Sequence, residues 1–182
     1  MKYDYLRRMK RALYLGRFNP PHYGHVEAIK YILNQEDIDE IIILIGSGEK
    51  AYYPKNPFTG GERVEMMGAI VREYFDVSKF YIQAIPDSNR NSIWPAHAID
   101  LVPPFDILFT NNPLVQKLFR DLTTKEIRSI PLTNRKEWSG KEIRRRMLED
   151  ENWKEFVPPV VVSLIEKYDG INRIKKINQD DY

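Results

Sequence analysis

The feature that most restricts the fold is the run Glu40–Gly46, EIIILIG, which is apolar and largely β-branched at consecutive positions rather than at alternate ones. A strand with one wet face alternates apolar and polar residues. A strand apolar on both sides needs cover on both faces, which is the situation inside a parallel sheet. Shorter apolar segments fit beside it: Ala12–Gly16 (ALYLG), Lys79–Ile85, Phe105–Thr110 (FDILFT) and Ile127–Pro131. Between them the period changes. Val26, Ile29 and Leu33 recur at helical spacing and predict a turn leading into a helix over His22–Asn34, and Val64, Met67 and Val71 do the same over Glu62–Tyr74. Further helices are expected at Asn91–Leu101, stopped by Pro103 and Pro104, and at Asn112–Leu122, Ser139–Asp150 and Val157–Lys167. Ser47–Gly61 and Pro86–Arg90 read as loops, and the polar stretch from Gly170 as a tail that frays. Alternating strands and helices predict an α/β chain: a Rossmann-like doubly wound parallel sheet of about five strands, with helices on both faces and right-handed crossovers.

At 182 residues, with no internal repeat and no linker, one domain is expected. The chain carries 28 basic and 26 acidic residues, a net charge of +2, so no broad basic surface for nucleic acid is built in. It has no cysteine, which excludes disulfides, thiolate metal sites and a thiol nucleophile. Runs such as Ile41–Ile45 and Val160–Val162 are far below the ~18 to 20 apolar residues that span a bilayer. The N-terminal stretch has basic residues without an apolar core for a signal peptide, so no membrane partner and a cytoplasmic location are expected.

In an open parallel sheet, ligands sit beyond the carboxyl ends of the strands, beside the first turn into a helix. Here that turn is Gly16-Arg17-Phe18-Asn19-Pro20-Pro21-His22-Tyr23-Gly24-His25. His22 and His25, three apart, can share one side of the first helical turn, and Gly24 puts no side chain between them. A helix N-terminus already offers unpaired N–H groups and a positive dipole end, so two imidazoles there make an anion platform without permanent charge. Arg17 adds a fixed cation. A single histidine in a turn is usually a surface or capping residue. A zinc site is the other competitor, but the chain has three histidines in all and H-x-G-H lacks the i, i+4 pairing of helical zinc motifs, so no protein metal site is expected.

A second segment, Trp138-Ser139-Gly140-Lys141-Glu142-Ile143-Arg144-Arg145-Arg146-Met147, begins another helix. Ser139 and Glu142 form the S-x-x-E pattern of a capping box. The three arginines fall about 100° apart, so they cannot all serve one ligand. Between the two segments, Asp87, Asn91 and Trp94 stand four and three apart and can line one side of a pocket. An aromatic face there suits a flat cationic ring. A buried tryptophan with capping neighbours is the ordinary alternative.

The G-R-F-x-P-x-H-x-G-H stretch resembles the signature of the HxGH nucleotidyltransferases, relatives of the class I aminoacyl-tRNA synthetases. Pro57–Arg63 (PFTGGER), Asn91–His97 (NSIWPAH), Pro103–Asp106 (PPFD) and Asn112–Gln116 (NPLVQ) are similar to segments of the archaeal nicotinamide-nucleotide adenylyltransferases, and the likeness runs from about Arg11 to about Ile174. The resemblance leaves residues 1–8 as an extension without counterpart, with Met9 an alternative start. It implies transfer of AMP from ATP to nicotinamide mononucleotide by direct in-line attack, giving NAD and pyrophosphate, with Mg2+ carried by ATP. It implies catalytic roles for Arg17, His22, His25 and Arg144, the last matching the arginine of an S-x-T-x-x-R type motif. ATP contacts are implied for Gly16, Phe18, Asn19, Gly24, Asn112, Ser139 and Lys141, and acceptor contacts for Lys55, Asp87, Asn91 and Trp94. Lys141 stands where the family pattern has threonine and offers phosphate a point charge instead of a hydroxyl. Lys55 stands where relatives can carry a phosphate-contacting arginine, and would lose the bidentate contact. A homo-oligomer, a hexamer among the forms, is implied too. The rival readings are another HxGH transferase, acting on phosphopantetheine, FMN or glycerol phosphate, and a non-catalytic nucleotide- or RNA-binding protein using Arg7–Arg11 and Arg144–Arg146.

Overall fold

A computed structural model describes residues 8–88, 90–131 and 138–179. Most of the expected N-terminal extension, the arginine at position 7 and the last three residues lie outside the described residues. Five parallel strands form one sheet: β1 (Arg11–Gly16), β2 (Glu40–Ile45), β3 (Phe80–Ala84), β4 (Ile107–Phe109) and β5 (Glu126–Arg128), in the order β3-β2-β1-β4-β5. The helices are α1 (Tyr23–Leu33), α2 (Gly60–Tyr74), α3 (Trp94–Leu101), α4 (Pro113–Leu122), α5 (Gly140–Leu148), α6 (Pro159–Lys167) and α7 (Gly170–Gln179).

The β-branched run behaves as its composition requires. All six residues of β2 are buried. Ile41, Ile43 and Ile45 enter one core with Val26 and Ile29 of α1, Met66 and Ile70 of α2, Ile143 of α5 and Ile165 of α6. Ile42 and Leu44 enter the other, with Ala98 of α3 and Val115 and Phe119 of α4. β1 divides the same way: Ala12 and Tyr14 go to the first core, Leu13 to the second. The sheet is thus covered on both faces, as expected of a doubly wound fold.

The structure corrects three expectations. The segment from Gly170 is helix α7, because Ile174 is buried in the larger core and Ile171 packs against it, a helical spacing hidden in a polar composition. β5 ends at Arg128, since the Ile130 N–H is taken by the Asn111 side chain at 2.9 Å instead of by a strand. The capping box at Ser139 is half made: Ser139 Oγ accepts from the Glu142 N–H at 3.2 Å, while the Glu142 carboxylate is drawn to Arg145 and Arg146 at 2.8 and 2.9 Å. A complete capping box occurs instead at Thr59 and Glu62, which start α2.

From β1 the chain moves outward through β2 to β3, then crosses back over β1 to β4 and β5. The order therefore reverses between β1 and β4, and the turns leaving their carboxyl ends diverge to open a crevice.

Candidate active site

A cleft of about 1000 Å³ occupies that crevice, walled by Gly16, Arg17, His22 and His25 on one side, by Thr110, Asn111 and Asn112 on another, and by Ser47, Lys50, Asp87, Asn91 and Trp94 beyond β2 and β3.

The first turn is packed from below. Phe18, at a left-handed φ of 50°, is 1 % exposed and lies against Tyr14 and against the His25 ring, centroids 4.7 Å apart. Asn19 is buried, with its side-chain oxygen accepting from the Phe58 N–H at 3.2 Å and its amide donating to Asn56 and the Phe58 carbonyl. These two residues were expected to contact ATP; neither lines the cleft, Phe18 packing beneath the His25 ring and Asn19 fixing the turn to the loop before α2.

On that base the two imidazoles stack, 3.7 Å between centroids with planes 30° apart. His22 is the N-cap of α1, and its backbone N–H donates to His25 Nδ1 at 3.1 Å. That bond leaves the His25 proton on Nε2. His22 Nδ1 is buried with no hydrogen-bond partner among the described residues, a polar atom whose cost a ligand would offset. Burial pushes His22 down to about 3, with the Arg144 charge adding to the shift, and burial together with its neighbour His22 pushes His25 well below the usual histidine range. Both rings are neutral near pH 7. Gly24 makes the stack possible, since a Cβ there would stand 3.0 Å from two atoms of the His22 ring and 3.2 Å from Trp138.

Arg144, on α5, reaches this turn from 125 residues away, with one Nη donating to the Asn19 carbonyl at 2.6 Å. Gly140 leaves it room: a Cβ there would lie 3.1 Å from that Nη and 3.3 Å from the Asn19 oxygen. Burial, and then repulsion from Arg17, lowers the Arg144 guanidinium to about 10, so it stays charged near neutrality. Arg17 is exposed on the cleft wall, and neither arginine has a carboxylate partner among the described residues. Two cations and two neutral imidazoles thus converge where a phosphate chain can lie.

The opposite wall is tied differently. The Asp87 carboxylate accepts from the Ser47 N–H at 3.1 Å, from Ser47 Oγ at 2.9 Å and from Lys50 Nζ at 2.6 Å. Burial would raise the Asp87 carboxyl, but Lys50 and Ser47 outweigh it and hold it below the usual range. Asp87 thereby pins the two loops together, while Asn91 and Trp94 stand free to meet a ligand. Trp94 is half-buried, edge-on to Phe119 at 5.9 Å.

Asn112 lines the cleft and also caps α4, its side-chain oxygen accepting from Leu114 N–H at 3.0 Å. Ser139 and Lys141 do not line it: Ser139 caps α5 and Lys141 is exposed. Lys55 is exposed too, in a turn closed by paired backbone bonds between Tyr53 and Asn56, and the structure does not bring it to the cleft. Sequence reasoning missed Ser47, Lys50, Thr110 and Asn111. Each follows the carboxyl end of β2 or β4, so the crevice rule applied to every strand would have found them.

Residues 13–146 match the family model described as cytidylyltransferase-like. The chain is 43 % identical over 173 residues to the nicotinamide-nucleotide adenylyltransferase of Methanolobus tindarius, covering 95 % of this chain and 97 % of that one. It is 44 % identical over 176 residues to the protein of the same name from Archaeoglobus fulgidus, covering 94 % and 99 %. Among solved structures, the bifunctional NMN adenylyltransferase/ADP ribose pyrophosphatase of Francisella tularensis, complexed with AMP and Mn ion, has the same fold at a TM-score of 0.66 and 15 % identity; the match covers 96 % of this chain and 57 % of that one.

Proposed function

The chain belongs to the cytidylyltransferase-like family, alongside the archaeal nicotinamide-nucleotide adenylyltransferases, and from that premise we propose how its cleft joins ATP to nicotinamide mononucleotide to make NAD. The observation that carries this reading is the meeting of Arg17, His22 and His25 on one side of the cleft that Asn91 and Trp94 also line, with Arg144 close behind them on the Asn19 carbonyl, near enough for its charge to act on His22 and Arg17.

ATP lies along the first turn. An oxygen of the mononucleotide's 5′-phosphate attacks the α-phosphorus, the bond from that phosphorus to the bridging oxygen of the β-phosphate breaks, and pyrophosphate leaves opposite. The nucleophile is already ionised near neutral pH, so no general base is needed; catalysis rests on position and on donors aimed at developing charge. His25 Nε2–H and the His22 ring serve the α- and β-phosphate region as neutral donors, while Arg17 and Arg144 balance phosphate charge. Magnesium enters with ATP as part of the substrate: among the described residues no group of three or more His, Asp or Glu is placed to hold an ion. Trp94 stacks on the pyridinium ring, Asn91 addresses its carboxamide or ribose, and Asp87 holds the wall on which both stand.

Purified protein with ATP, magnesium and separate acceptors tests the reading by following pyrophosphate and dinucleotide together. Nicotinamide mononucleotide should be converted fastest, ahead of nicotinic acid mononucleotide, FMN, phosphopantetheine and glycerol phosphate. Pyrophosphate release only with one of the last three would replace it. Sedimentation of the same preparation tests the homo-oligomer, a hexamer among the forms, that the resemblance implies.

A further inference from the structure

Arg63 is the largest fully buried side chain among the described residues, and no carboxylate there is in hydrogen-bonding contact with it, although Glu49, Asp87 and Glu62 lie near enough for their charges to attract it. Its neighbour Glu62 faces the other way, held by Arg173 of α7 through two bonds of 2.6 and 2.9 Å. All of the Arg63 donors end on backbone carbonyls. Nε donates to Thr59 at 3.1 Å, one Nη to Arg17 and Gly46 at 3.0 Å each, and the other Nη to Ser47 at 2.8 Å and Lys50 at 3.4 Å. A guanidinium has five N–H donors, and here each has an acceptor.

Four of these carbonyls belong to residues that line the cleft, in the turn after β1 and the loop after β2; the fifth is that of Thr59, the N-cap of α2. At the carboxyl end of a parallel sheet, carbonyl oxygens left unpaired would turn partial negative charge toward any phosphate in the crevice. A buried cation with no carboxylate in direct contact is costly in the empty protein; Glu49, Asp87 and Glu62 offset it only at longer range, and an anionic ligand would offset it further.

We infer that Arg63 is a positioning residue for adenylyl transfer, gathering the Arg17, Gly46, Ser47 and Lys50 carbonyls into a fixed floor and placing a positive charge, bonded to no carboxylate, beneath the triphosphate. It orients Arg17 on one wall and, through Ser47 and Lys50, the Asp87 anchor on the other. Lysine cannot replace it, because three donors from a point cannot serve five carbonyls in a planar fork. The inference rests on the proposed adenylyltransferase reading.

The test compares Arg63→Lys and Arg63→Gln with Ile70→Ala, which opens a void in the core under the same helix. Melting temperature and circular dichroism establish that each variant is folded at the assay temperature. Arg63→Lys should lower kcat by about 10²-fold, the size of a ~1 Å misplacement of reacting groups. It keeps the charge, so its ATP affinity should hold, while Arg63→Gln should weaken ATP binding roughly tenfold, as expected for a unit charge within about 10 Å of phosphate. Adenosine affinity should move less than about twofold in either, because adenosine carries no phosphate. Ile70→Ala should lose melting temperature yet retain kcat. An Arg63→Lys enzyme with kcat within about threefold of wild type, or equal losses for ATP and adenosine in Arg63→Gln, overturns the inference.

Should neither variant fold, nuclear magnetic resonance of the wild-type protein decides. Separate Nη proton signals for Arg63, with and without ATP and magnesium, support a fixed tie; one averaged signal means a rotating guanidinium and overturns it. An inactive wild-type protein would refute the adenylyltransferase reading through the acceptor panel, while the resonance measurement still judges the tie.

Discussion

The two walls of the cleft are built on opposite plans. The phosphate wall is one continuous turn, Gly16–His25, held from behind by the distant side chains of Asn56, Arg63 and Arg144; its two imidazoles are stacked and desolvated, and His22 Nδ1 has no partner among the described residues. The acceptor wall is assembled from separate loops, and its charged groups are paired with one another: Ser47 and Lys50 donate to Asp87, which leaves Asn91 and Trp94 to meet the ligand. Desolvated groups with spare hydrogen-bonding capacity are suited to a ligand whose charge grows during reaction. Paired and solvated groups are suited to shape and recognition. The difference predicts that damage to the first wall appears in turnover and damage to the second in acceptor affinity.

His25→Ala should have the largest effect, a fall of about 10²–10³ in kcat, the usual loss when one preorganised donor is removed. The KM for nicotinamide mononucleotide should change little. A variant with near wild-type turnover, measured by initial-rate pyrophosphate release, would remove His25 from the phosphate site and break the division between walls.

The next effect is on stability and needs no substrate. His22 is held neutral by burial, at about 3 against 6.5 for an ordinary histidine. The unfolded chain therefore binds a proton that the folded protein refuses, so stability is present above pH 6.5 and is lost as pH falls from there toward 3. The loss approaches about 1.4 kcal/mol per pH unit for one such group. His25, also held neutral by burial, adds a slope of the same sign, so thermal melts between pH 7 and 5, a range in which ordinary carboxylates change little, should show at least this slope, and His22→Gln should reduce it without abolishing it. A wild-type melting temperature constant over that range would mean that the imidazole wall is wet.

Trp94→Ala sharpens the contrast from the other side. Loss of a stacking face should raise the KM for nicotinamide mononucleotide by roughly tenfold, with the KM for ATP unchanged. Equal increases in both would mean that Trp94 shapes the whole cleft.

What could be read before the structure follows the same division. Glu40–Ile45 announced a sheet covered on both faces because each side chain had to go somewhere dry, and His22 and His25 announced a phosphate turn because both sit in one local segment. Arg144 was found by its motif, but its partner, the Asn19 carbonyl, could not be: a backbone acceptor 125 residues away has no sequence signature. Arg63 lay inside a recognised stretch, PFTGGER, yet nothing local distinguishes an arginine that enters the interior from one that stays at the surface. Asp87 was anticipated as a ligand-facing group, whereas Ser47 and Lys50, which occupy it, are brought there by the pairing of β2 with β3. Helix α7 escaped notice because its apolar positions are sparse and their burial depends on α5 and α6 being in place.

The smallest effect tests the loop tie itself. Lys50 and Asp87 form a pair at 2.6 Å whose side chains are 47 % and 32 % exposed, so water and salt screen most of their attraction. Such pairs contribute about 0.2–1 kcal/mol. Lys50→Met should therefore raise the KM for nicotinamide mononucleotide by at most about fivefold, the equivalent of 1 kcal/mol, with kcat preserved. Because Ser47 still holds Asp87 through its N–H and hydroxyl, the wall should loosen without opening. Raising ionic strength should carry the wild-type enzyme part of the way to the variant's KM, with little further change in the variant. A fall in kcat comparable to that of His25→Ala would mean that Lys50 reaches the phosphates, and the acceptor wall would then share the chemistry assigned to its neighbour.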